Sequence, residues 1–367
     1  MTISLKKITP HDIAQLSTDW QTLEQQANPQ FFLSWKWIYS WLTQVIKQFT
    51  CYLLVVKNTD NVIGLGIFVE RRITQHYCFA RTQWLLHQTG EPEFDQIWIE
   101  NNDFLIDQRY QQSILPRIWQ FLEKYHAHVD EFIISLKKAA PQNETSPQLS
   151  KYQTGYTQQD IGFHIDLNTI HNLAEYLAQL SKNTRKQITR SIKLLTSQGK
   201  LSFNVITDIE QQLEQLSQSQ HWHIDKWQPT NTQSGFINPH FTDFHQRLIK
   251  QTHVSASTLV AQLQLNDQVI GVLYCFVQQP SCYFYLSSIQ PLTDNRIKLG
   301  LVLHSLLIEW LTEQMPTLRY YDFLAGEARY KRSLTKTTDS YYSLLIQKKT
   351  LKFTIENVLK KLKEKLF

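Results

Sequence analysis

One order of secondary-structure signals occurs twice along the 367 residues, and this repetition constrains the fold more than any other feature. In each half, amphipathic helical patterns come first, and apolar runs of strand length separated by tight turns follow. A further helix and strand close each half, and these helices are predicted from about Gln111 to Tyr125 and from about Leu299 to Gln314. Ser34 is a candidate N-cap of an earlier helix in the first half. Asn58–Asn61 and Asn266-Asp267 mark two of the turns, because Asn and Asp tolerate left-handed backbone. We therefore predict an α+β (α/β) fold in which mixed, mostly antiparallel sheets are flanked by helices.

The length of the chain predicts two domains, because one hydrophobic core rarely fills so many residues. The polar, turn-rich segment 137–159 is the predicted connector between them. The predicted divisions are an N-terminal domain over residues 1–150, a C-terminal domain over residues 151–350, and a basic amphipathic helix over residues 351–367.

The basic tail carries the net charge of the whole chain. Residues 348–367 contain seven lysines and two glutamates, a net charge of +5, and the formal charge of the full sequence is also +5. A body this close to neutral argues against a DNA-binding protein. Two interpretations fit the tail: a helix docked on the protein with solvated lysines, or a helix that touches an anionic membrane surface.

The cysteines and the apolar segments predict a cytoplasmic protein. Cys51, Cys78, Cys275 and Cys282 lie in apolar or aromatic stretches and form no C-x-x-C pair, which is typical of buried free thiols in a reducing compartment. The first ten residues lack the apolar region of a signal peptide. The longest apolar stretch, Leu299 to Leu311, is too short to cross a bilayer.

The most specific segment runs from Tyr320 to Arg332. A strand pattern ends near Phe323, and Gly326 then allows a left-handed turn. The chain contains only 10 glycines, so one at this position indicates a backbone requirement. Charged residues follow, and both a solvated turn and a functional site fit them.

Asp322-Phe-Leu-Ala-Gly326 followed by Tyr330-Lys331 resembles the D-F-L-x-G…Y-K signature of bacterial GNAT-domain acyltransferases. The branch it resembles is the CelD-like one, named for cellulose and exopolysaccharide biosynthesis clusters and similar to the FemAB peptidyltransferases. The resemblance implies two GNAT-like domains in tandem. The N-terminal half has no Arg/Gly-rich loop before its last helix apart from Gly90, so we predict that it is structural and acceptor-binding and that the second domain is the acyltransferase. Other stretches that resemble the family are Phe31 to Trp37 with Trp41, the acidic segment Asp95 to Phe104, and the basic helix with Ser181, Lys182, Arg185 and Arg190.

The resemblance also implies acetyl-CoA or another acyl-CoA as co-substrate. In GNAT proteins its pyrophosphate lies on backbone N–H groups that open a helix, where the helix dipole favours an anion. Here only Gly300 matches the family pattern Q/R-x-x-G-x-G/A, and Val302 stands beyond it. A core helix capped by a polar loop is the alternative. The predicted cofactor-binding residues are Arg296, Lys298, Leu299, Gly300 and Leu301, with Leu286 and Ser287 of the preceding strand.

Acyl transfer needs a base, donors for the developing oxyanion, and an acid for the leaving thiolate. The resemblance implies direct transfer, with a donor from the strand Cys282 to Ile289. Strict alternation would place Tyr283, Tyr285 and Ser287 on one face, and Phe284, Leu286 and Ser288 on the other. The predicted catalytic residues are Asp322 as base, with Glu327 and His304 as further candidates, and Tyr330 or Tyr285 as acid.

Basic residues from Lys182 to Lys193 recur at helical spacing on one face. Such a face is either solvated or recognises an anion, such as CoA phosphates, a nucleotide-linked sugar or tRNA. The Trp-rich segment from His221 to Trp227 is predicted to lie between helices that begin at Asp208 and Pro239. It offers two histidines and an aspartate with no evident further ligand, so we predict no metal site. The predicted substrate-binding residues are Arg185, Arg190, Lys331 and Trp222.

Three functional hypotheses remain at this point. The first is an acyl-CoA-dependent N- or O-acyltransferase whose small-molecule acceptor is a sugar, amino sugar or peptide-like compound. The second is a FemAB-like transferase that takes an aminoacyl group from tRNA. The third is a non-catalytic pair of GNAT domains that binds a partner, which the sparse glycine pattern before Leu301 leaves open.

Overall fold

The computed structural model describes residues 1–75, 79–138, 149–230, 233–251 and 257–366. The chain divides into two compact units. Unit 1 comprises Met1–Gln159 and Tyr341–Phe367, and unit 2 comprises Asp160–Ser340. Each unit is described by itself below.

Unit 1 contains a sheet with helices. Its strand order is β1-β2-β3-β4-β6-β13-β7, and β5 pairs with β3. The strands are β1 (Thr2–Lys7), β2 (Thr50–Asn58), β3 (Asn61–Gln75), β4 (Phe79–Leu86), β5 (Leu105–Ile106), β6 (Glu131–Lys138), the first part of β7 (Tyr152–Asp166) and most of β13 (Thr338–Lys348). The helices are α1 (Ile13–Ala27), α2 (Trp35–Val45), α3 (Pro92–Asp95), α4 (Gln111–Tyr125) and α11 (Leu351–Leu366).

Strands β2, β3 and β4 form an antiparallel meander, and β6 returns parallel to β4. A parallel return requires a crossover, which α4 provides. This helix buries Ile114, Ile118 and Leu122. The predicted turn at Asn58–Asn61 and the predicted helix from Gln111 to Tyr125 are confirmed.

The sequence pattern did not reveal β4, because Arg81 and Gln83 interrupt its apolar run. Both side chains are buried and bind a carboxylate of the neighbouring strand: Arg81 Nη1 lies 2.8 Å from Glu131 Oε1, and Gln83 Nε2 lies 2.6 Å from Glu131 Oε2. Buried polar residues whose side chains form hydrogen bonds with one another inside a sheet are easily mistaken for loop residues in the sequence.

Unit 2 repeats the order of a meander, a helix and a parallel strand. Its strand order is β7-β12-β11-β10-β9-β8. The remaining strands are β8 (Leu201–Ile206), β9 (Thr258–Leu265), β10 (Gln268–Gln278), β11 (Ser281–Ile289) and β12 (Tyr320–Asp322). The helices are α5 (Leu173–Gln179), α6 (Lys182–Thr196), α7 (Ile209–Trp227), α8 (Pro239–Gln251), α9 (Leu299–Gln314) and α10 (Arg329–Leu334).

Helices α5, α6 and α9 pack together on one face of the unit 2 sheet, and α7 and α8 lie on the other. The core under α9 joins Ile188 of α6 and Leu303 of α9 to Leu273 and Cys275 of β10. The predicted helix from Leu299 to Gln314 is confirmed. Ser181 caps α6, because its Oγ accepts the Thr184 N–H at 3.2 Å.

Several predicted boundaries differ from the structure. The Trp-rich segment was predicted to lie between two helices, but it forms the last turns of α7. This helix ends at Trp227, two residues before Pro229, because the residue before a proline disfavours helical backbone. The predicted connector 137–159 is wrong at both ends, because β6 reaches Lys138 and β7 begins at Tyr152; its residues 139–148 lie outside the described residues. The predicted domain limits at 150 and 350 also differ, because β13 pairs with β6 in unit 1.

Cys51, Cys275 and Cys282 are buried free thiols, as predicted, and Cys78 lies outside the described residues. Within the ranges that the structure describes, no helix combines the length and apolarity needed to span a bilayer.

A buried ion triad docks the first turns of α11 in unit 1. Arg81 Nη1 pairs with Glu131, and its Nη2 pairs with Glu356 of α11. The guanidinium also lies 5.0 Å from the ring centroid of Phe353, which is fully buried. Two carboxylates thus share one cation in the interior, where a charge without a partner is costly. The helical tail predicted from the sequence is confirmed as a helix.

Substitution of Arg81 tests this triad. In Arg81→Met the carboxylates of Glu131 and Glu356 lose their shared cation, so we expect unfolding stability to fall by about 3–5 kcal/mol. Urea unfolding measures the change. Arg72→Met is the matched control, because Arg72 is 80% exposed and its pair with Glu70 spans 3.5 Å; exposed pairs contribute about 0–1 kcal/mol. Equal losses in the two variants would contradict the role of the triad.

Candidate active site

The central feature of unit 2 is a wedge between β11 and β12. These parallel strands pair at only three positions, the last of which joins Tyr283 to Asp322. Strand β12 ends there, whereas β11 continues to Ile289. From Phe284 onward, and within the described residues, β11 has no strand partner on that side. The sheet therefore opens beside the backbone of residues 284–289.

A β-bulge lies at the start of the wedge. Leu286 pairs with Tyr274 of β10 and Phe284 pairs with Cys275, which leaves Tyr285 as the extra residue. A bulge shifts the alternation of side chains by one position. The predicted face assignment beyond Tyr285 is therefore wrong: Ser287 pairs with Leu273 on the α9 face, and Leu286 lies on the opposite face with Tyr285.

The N-terminus of α9 meets the end of β11. A Cβ at Gly300 would lie 3.2 Å from Ile289 Cδ1, so the glycine permits this close approach. The N–H groups of Leu299, Gly300 and Leu301 have no acceptor among the described residues, as is usual in the first turn of a helix. The open side of β11 and the unpaired N–H groups in the first turn of α9 therefore lie next to each other.

Helix α6 holds the loop that leads into α9. The Oγ of Ser191 accepts the Lys298 N–H at 2.9 Å and donates to Gln187 O at 2.7 Å. Arg190 Nη2 donates to the carbonyl of Arg296 at 3.3 Å. Sequence reasoning missed Ser191, although it occupies a position on the buried face of α6 where a small polar residue among apolar ones signals a specific hydrogen bond.

The charges near the N-terminus of α9 are mostly positive. Arg296 forms a double contact with Asp294, from Nε to Oδ1 at 2.9 Å and from Nη2 to Oδ2 at 2.8 Å. This hydrogen bonding lowers the pKa of Asp294 to about 2. Lys298, Arg190 and Arg185 are exposed. The structure therefore brings the predicted cofactor residues Arg296 to Leu301 together with Arg190 of the predicted substrate set.

A buried histidine lies on the α9 side of the wedge. His304 Nδ1 is 2.8 Å from the Tyr321 hydroxyl, and its ring stacks on Tyr330 with centroids 5.6 Å apart. Phe284 contacts the imidazole edge-on, with centroids 4.6 Å apart. Burial, with smaller effects from the ammonium groups of Lys226 and Lys331, lowers the pKa of His304 to about 3. The imidazole is therefore neutral at pH 7.

The segment after β12 folds into a fixed turn. Asp322 Oδ1 accepts the Leu324 N–H at 2.7 Å, and Gly326 adopts a φ of +96°. The buried ammonium of Lys331 donates to Ala325 O at 2.7 Å and to Leu324 O at 3.2 Å. Lys331, predicted to bind substrate, thus stabilises the turn that follows Asp322.

The predicted acids and bases lie on two faces of the sheet. Tyr321 points to α9, so Asp322 points to the opposite face, where the Tyr285 hydroxyl lies 3.2 Å from His245 Nε2. Tyr330 lies on the α9 face, and burial raises the pKa of its hydroxyl. Asp322 and Tyr330 therefore flank the wedge from opposite sides, and Tyr285 lies on the side of Asp322.

Two predicted residues lie at the surface or beside α7. Glu327 forms an ion pair with Arg332 in which both side chains are more than half exposed. Trp222 is half-buried on α7, with its ring 4.9 Å from that of His221. His223 Nδ1 lies 2.7 Å from Ser234 Oγ. Within the described ranges, no group of three or more His, Cys, Asp or Glu side chains is arranged to hold a metal ion.

The buried state of His304 predicts a pH dependence of stability. Its folded pKa of about 3 lies below the ordinary value of 6.5, so below pH 6.5 the unfolded chain binds a proton that the folded chain does not. Stability is therefore lost as pH falls, by about 1.4 kcal/mol per pH unit for this group. His304→Gln should reduce the slope of unfolding free energy between pH 6 and 4 by that amount. The exposed His221 provides the control variant His221→Gln, and an unchanged slope in His304→Gln would contradict the assignment.

Comparisons with known proteins found a matching protein family and solved structures with a similar fold. Residues 182–332 match the family described as "Acetyltransferase (GNAT) domain". The crystal structure of FemX is 8% identical and covers 97% of this chain and 99% of its own, with a TM-score of 0.56. A conserved protein of unknown function from Bacteroides thetaiotaomicron is 10% identical, with coverages of 95% and 100% and a TM-score of 0.51. No curated protein matched the chain. The chain therefore has the GNAT fold, and the residues that match the GNAT acetyltransferase family include the wedge of unit 2.

Proposed function

We propose that the protein is an acyl-CoA-dependent acyltransferase that transfers its acyl group directly to the amine or hydroxyl of a small acceptor. The observation that supports this most is the open side of β11 beyond the bulge, which lies next to the unpaired N–H groups in the first turn of α9. The acceptor we propose is a sugar or a cell-envelope or exopolysaccharide precursor, in keeping with the CelD-like resemblance.

The residues at the start of α9 fit a pyrophosphate. The N–H groups of Leu299, Gly300 and Leu301 would bind its oxygens, since the helix N-terminus combines unpaired donors with a positive dipole end. Gly300 has no side chain to block the approach, and Lys298 and Arg190 supply positive charge. Leu286 and Ser287 would flank the pantetheine arm along β11. Acyl-CoA, when bound, supplies an activated thioester with a thiolate leaving group.

The roles of the side chains follow from their positions. A β11 N–H beyond the bulge would donate to the negative charge that develops on the acyl oxygen. Asp322 would accept the proton of the attacking amine or hydroxyl. Tyr330 would protonate the leaving thiolate, since its raised pKa keeps the hydroxyl protonated at neutral pH. Phe284 and Phe323 exclude water from the inner end of the wedge.

The exposed cations of α6 favour a second candidate function. Lys182, Arg185, Lys186 and Lys193 lie on the exposed surface of this helix, which contains no acidic residue. A FemAB-like transferase would use such a surface to bind tRNA, and its affinity would fall steeply with salt. A non-catalytic pair of GNAT domains is the third alternative, with neither affinity for acyl-CoA nor dependence on tRNA.

Calorimetric titration with acetyl-CoA and longer acyl-CoAs tests the proposed cofactor. We expect micromolar binding to the wild type, and about tenfold weaker binding for each 1.4 kcal/mol removed. Lys298→Ala should weaken binding more than Arg296→Ala, because Asp294 already neutralises Arg296. Ser191→Ala should also weaken binding by loosening the Lys298 N–H. Arg247→Ala, at an exposed pair with Asp243 on α8, is the matched control. Absence of binding to every acyl-CoA would overturn the proposal.

Substitution of the proposed acid and base should separate binding from chemistry. Asp322→Asn and Tyr330→Phe remove the proton-transfer groups but keep the shape of each side chain, so kcat should fall by about 10²–10⁴-fold. Affinity for acetyl-CoA, measured by calorimetry, should change little. A full kcat in both variants, once an acceptor is in hand, would assign the proton transfers elsewhere. Glu327→Gln, which alters an exposed ion pair, serves as the control.

A further inference from the structure

Three apolar side chains in the first turns of α11 face the solvent. Leu351 is 76% exposed, Ile355 45% and Val358 51%. Because they are four and then three positions apart on one helix, they form a single line along its surface, which we call the outer stripe. The apolar line of a surface helix usually packs on the protein core, whereas an exposed one marks an interaction surface.

The opposite side of α11 docks on unit 1, largely through polar contacts. Glu356 belongs to the buried triad with Arg81, and the Phe353 ring lies 5.0 Å from the same guanidinium. Asn357 Nδ2 donates to Gln347 Oε1 of β13 at 2.9 Å. The three helix residues in these contacts share one face, so they fix the rotation of α11 about its axis. The fold therefore holds the outer stripe away from the protein.

The helix that carries the outer stripe is basic. Residues 348–367 contain seven lysines and two glutamates. One of these glutamates is Glu356, which is 1% exposed and paired with Arg81. Four of the lysines follow Val358, on the helix that continues to Leu366. An exposed apolar line thus lies on a helix that offers positive charge.

This charge decides between two possible occupants of the outer stripe. A second copy of the chain would bring an equally basic helix against the first, and the repulsion between like charges would oppose that contact. The surface of a bilayer that contains anionic lipids supplies hydrocarbon for the outer stripe and negative headgroups for the lysines. The anionic bilayer is therefore the complementary partner.

We propose that the outer stripe docks on the surface of an anionic membrane, with α11 lying in the plane of the interface. Its three apolar side chains would enter the boundary between headgroups and acyl chains, and the lysines would contact the headgroups. The proposal goes beyond the proposed acyl transfer and does not depend on it, because it rests on α11 and its test measures lipid binding alone.

Co-sedimentation of the full-length protein with vesicles tests the surface. The probes are vesicles of phosphatidylcholine mixed with phosphatidylglycerol, and vesicles of phosphatidylcholine alone. We expect the protein to bind the anionic vesicles more tightly than the neutral ones. The bound fraction should fall when salt is raised, because ions screen the lysines from the headgroups. No binding to the anionic vesicles, or equal binding to both kinds, would overturn the proposal.

Paired substitutions locate the contact. Ile355→Gln with Val358→Gln removes apolar surface from the outer stripe but keeps the charge and the helix propensity, so vesicle affinity should fall by about tenfold or more. The matched control is Ile161→Gln with Ile237→Gln, because these isoleucines of unit 2 are 38% and 50% exposed. Urea unfolding checks that both proteins fold. Unchanged vesicle binding in the α11 variant, or an equal loss in the control, would contradict docking through the outer stripe.

A substitution that adds apolar surface provides a test in the opposite direction. Val358→Trp should strengthen binding to the anionic vesicles, because an aromatic side chain on this face adds contact area at the interface. A gain in affinity cannot result from misfolding, and weaker binding would argue against the proposal.

Sedimentation velocity without lipid distinguishes the alternative occupant. We expect the wild type and the Ile355→Gln, Val358→Gln variant to sediment alike. A wild-type dimer that this variant dissociates would assign the outer stripe to a second copy of the chain and would overturn docking on a membrane.

Discussion

The three-residue parallel pairing of β11 with β12 is the constraint on which the rest of unit 2 depends. Parallel strands cannot be joined by a tight turn, so the chain must cross over the sheet through α9. The crossover places the helix N-terminus where β11 ends. Because the pairing stops at Asp322, the same constraint leaves the far half of β11 open, and the bulge at Tyr285 re-aims the side chains beside that opening.

The sequence predicted the features that depend on local pattern. The order of the elements, the limits of α4 and α9, and the cap at Ser34 follow from hydrophobic period and turn chemistry. The resemblance placed the candidate residues around Gly300 and Asp322, and the structure collects these groups at two ends of one wedge. Their chemical roles remain proposals.

The features that escaped prediction depend on partners distant in sequence. Arg81 and Gln83 make the sequence of β4 look too polar for a buried strand, and only the structure shows that both donate to Glu131 of β6. The bulge at Tyr285 is defined by how β11 pairs with β10, which the sequence of β11 alone does not show. Strict alternation therefore predicted the wrong face of the sheet for Leu286. Ser191 accepts the N–H of Lys298, which is more than a hundred residues away in the sequence, so local pattern could not reveal this hydrogen bond. Long-range pairing, rather than composition, determines each of these.

The two units share the same order of elements but differ in the backbone N–H groups that follow the third strand of the meander. In unit 1 the carboxylate of Asp95 accepts the N–H groups of Thr89 and Gly90, at 2.8 and 2.7 Å. The chain thus supplies its own anion to backbone donors that follow β4. In unit 2 the donors at Leu299 to Leu301 have no such internal acceptor among the described residues. This difference is the reason that the proposed acyl-CoA site is placed in unit 2 and none is proposed in unit 1.

The docking of α11 through Arg81 has a consequence for synthesis on the ribosome. Unit 1 draws its residues from both ends of the sequence, so β6 lacks its β13 neighbour, and Arg81 lacks Glu356, until residues 341–366 have emerged. Unit 2, in contrast, is contiguous and complete once Ser340 is available. The nascent chain therefore completes its second unit before its first, which reverses the usual N-terminal-first order of domain folding.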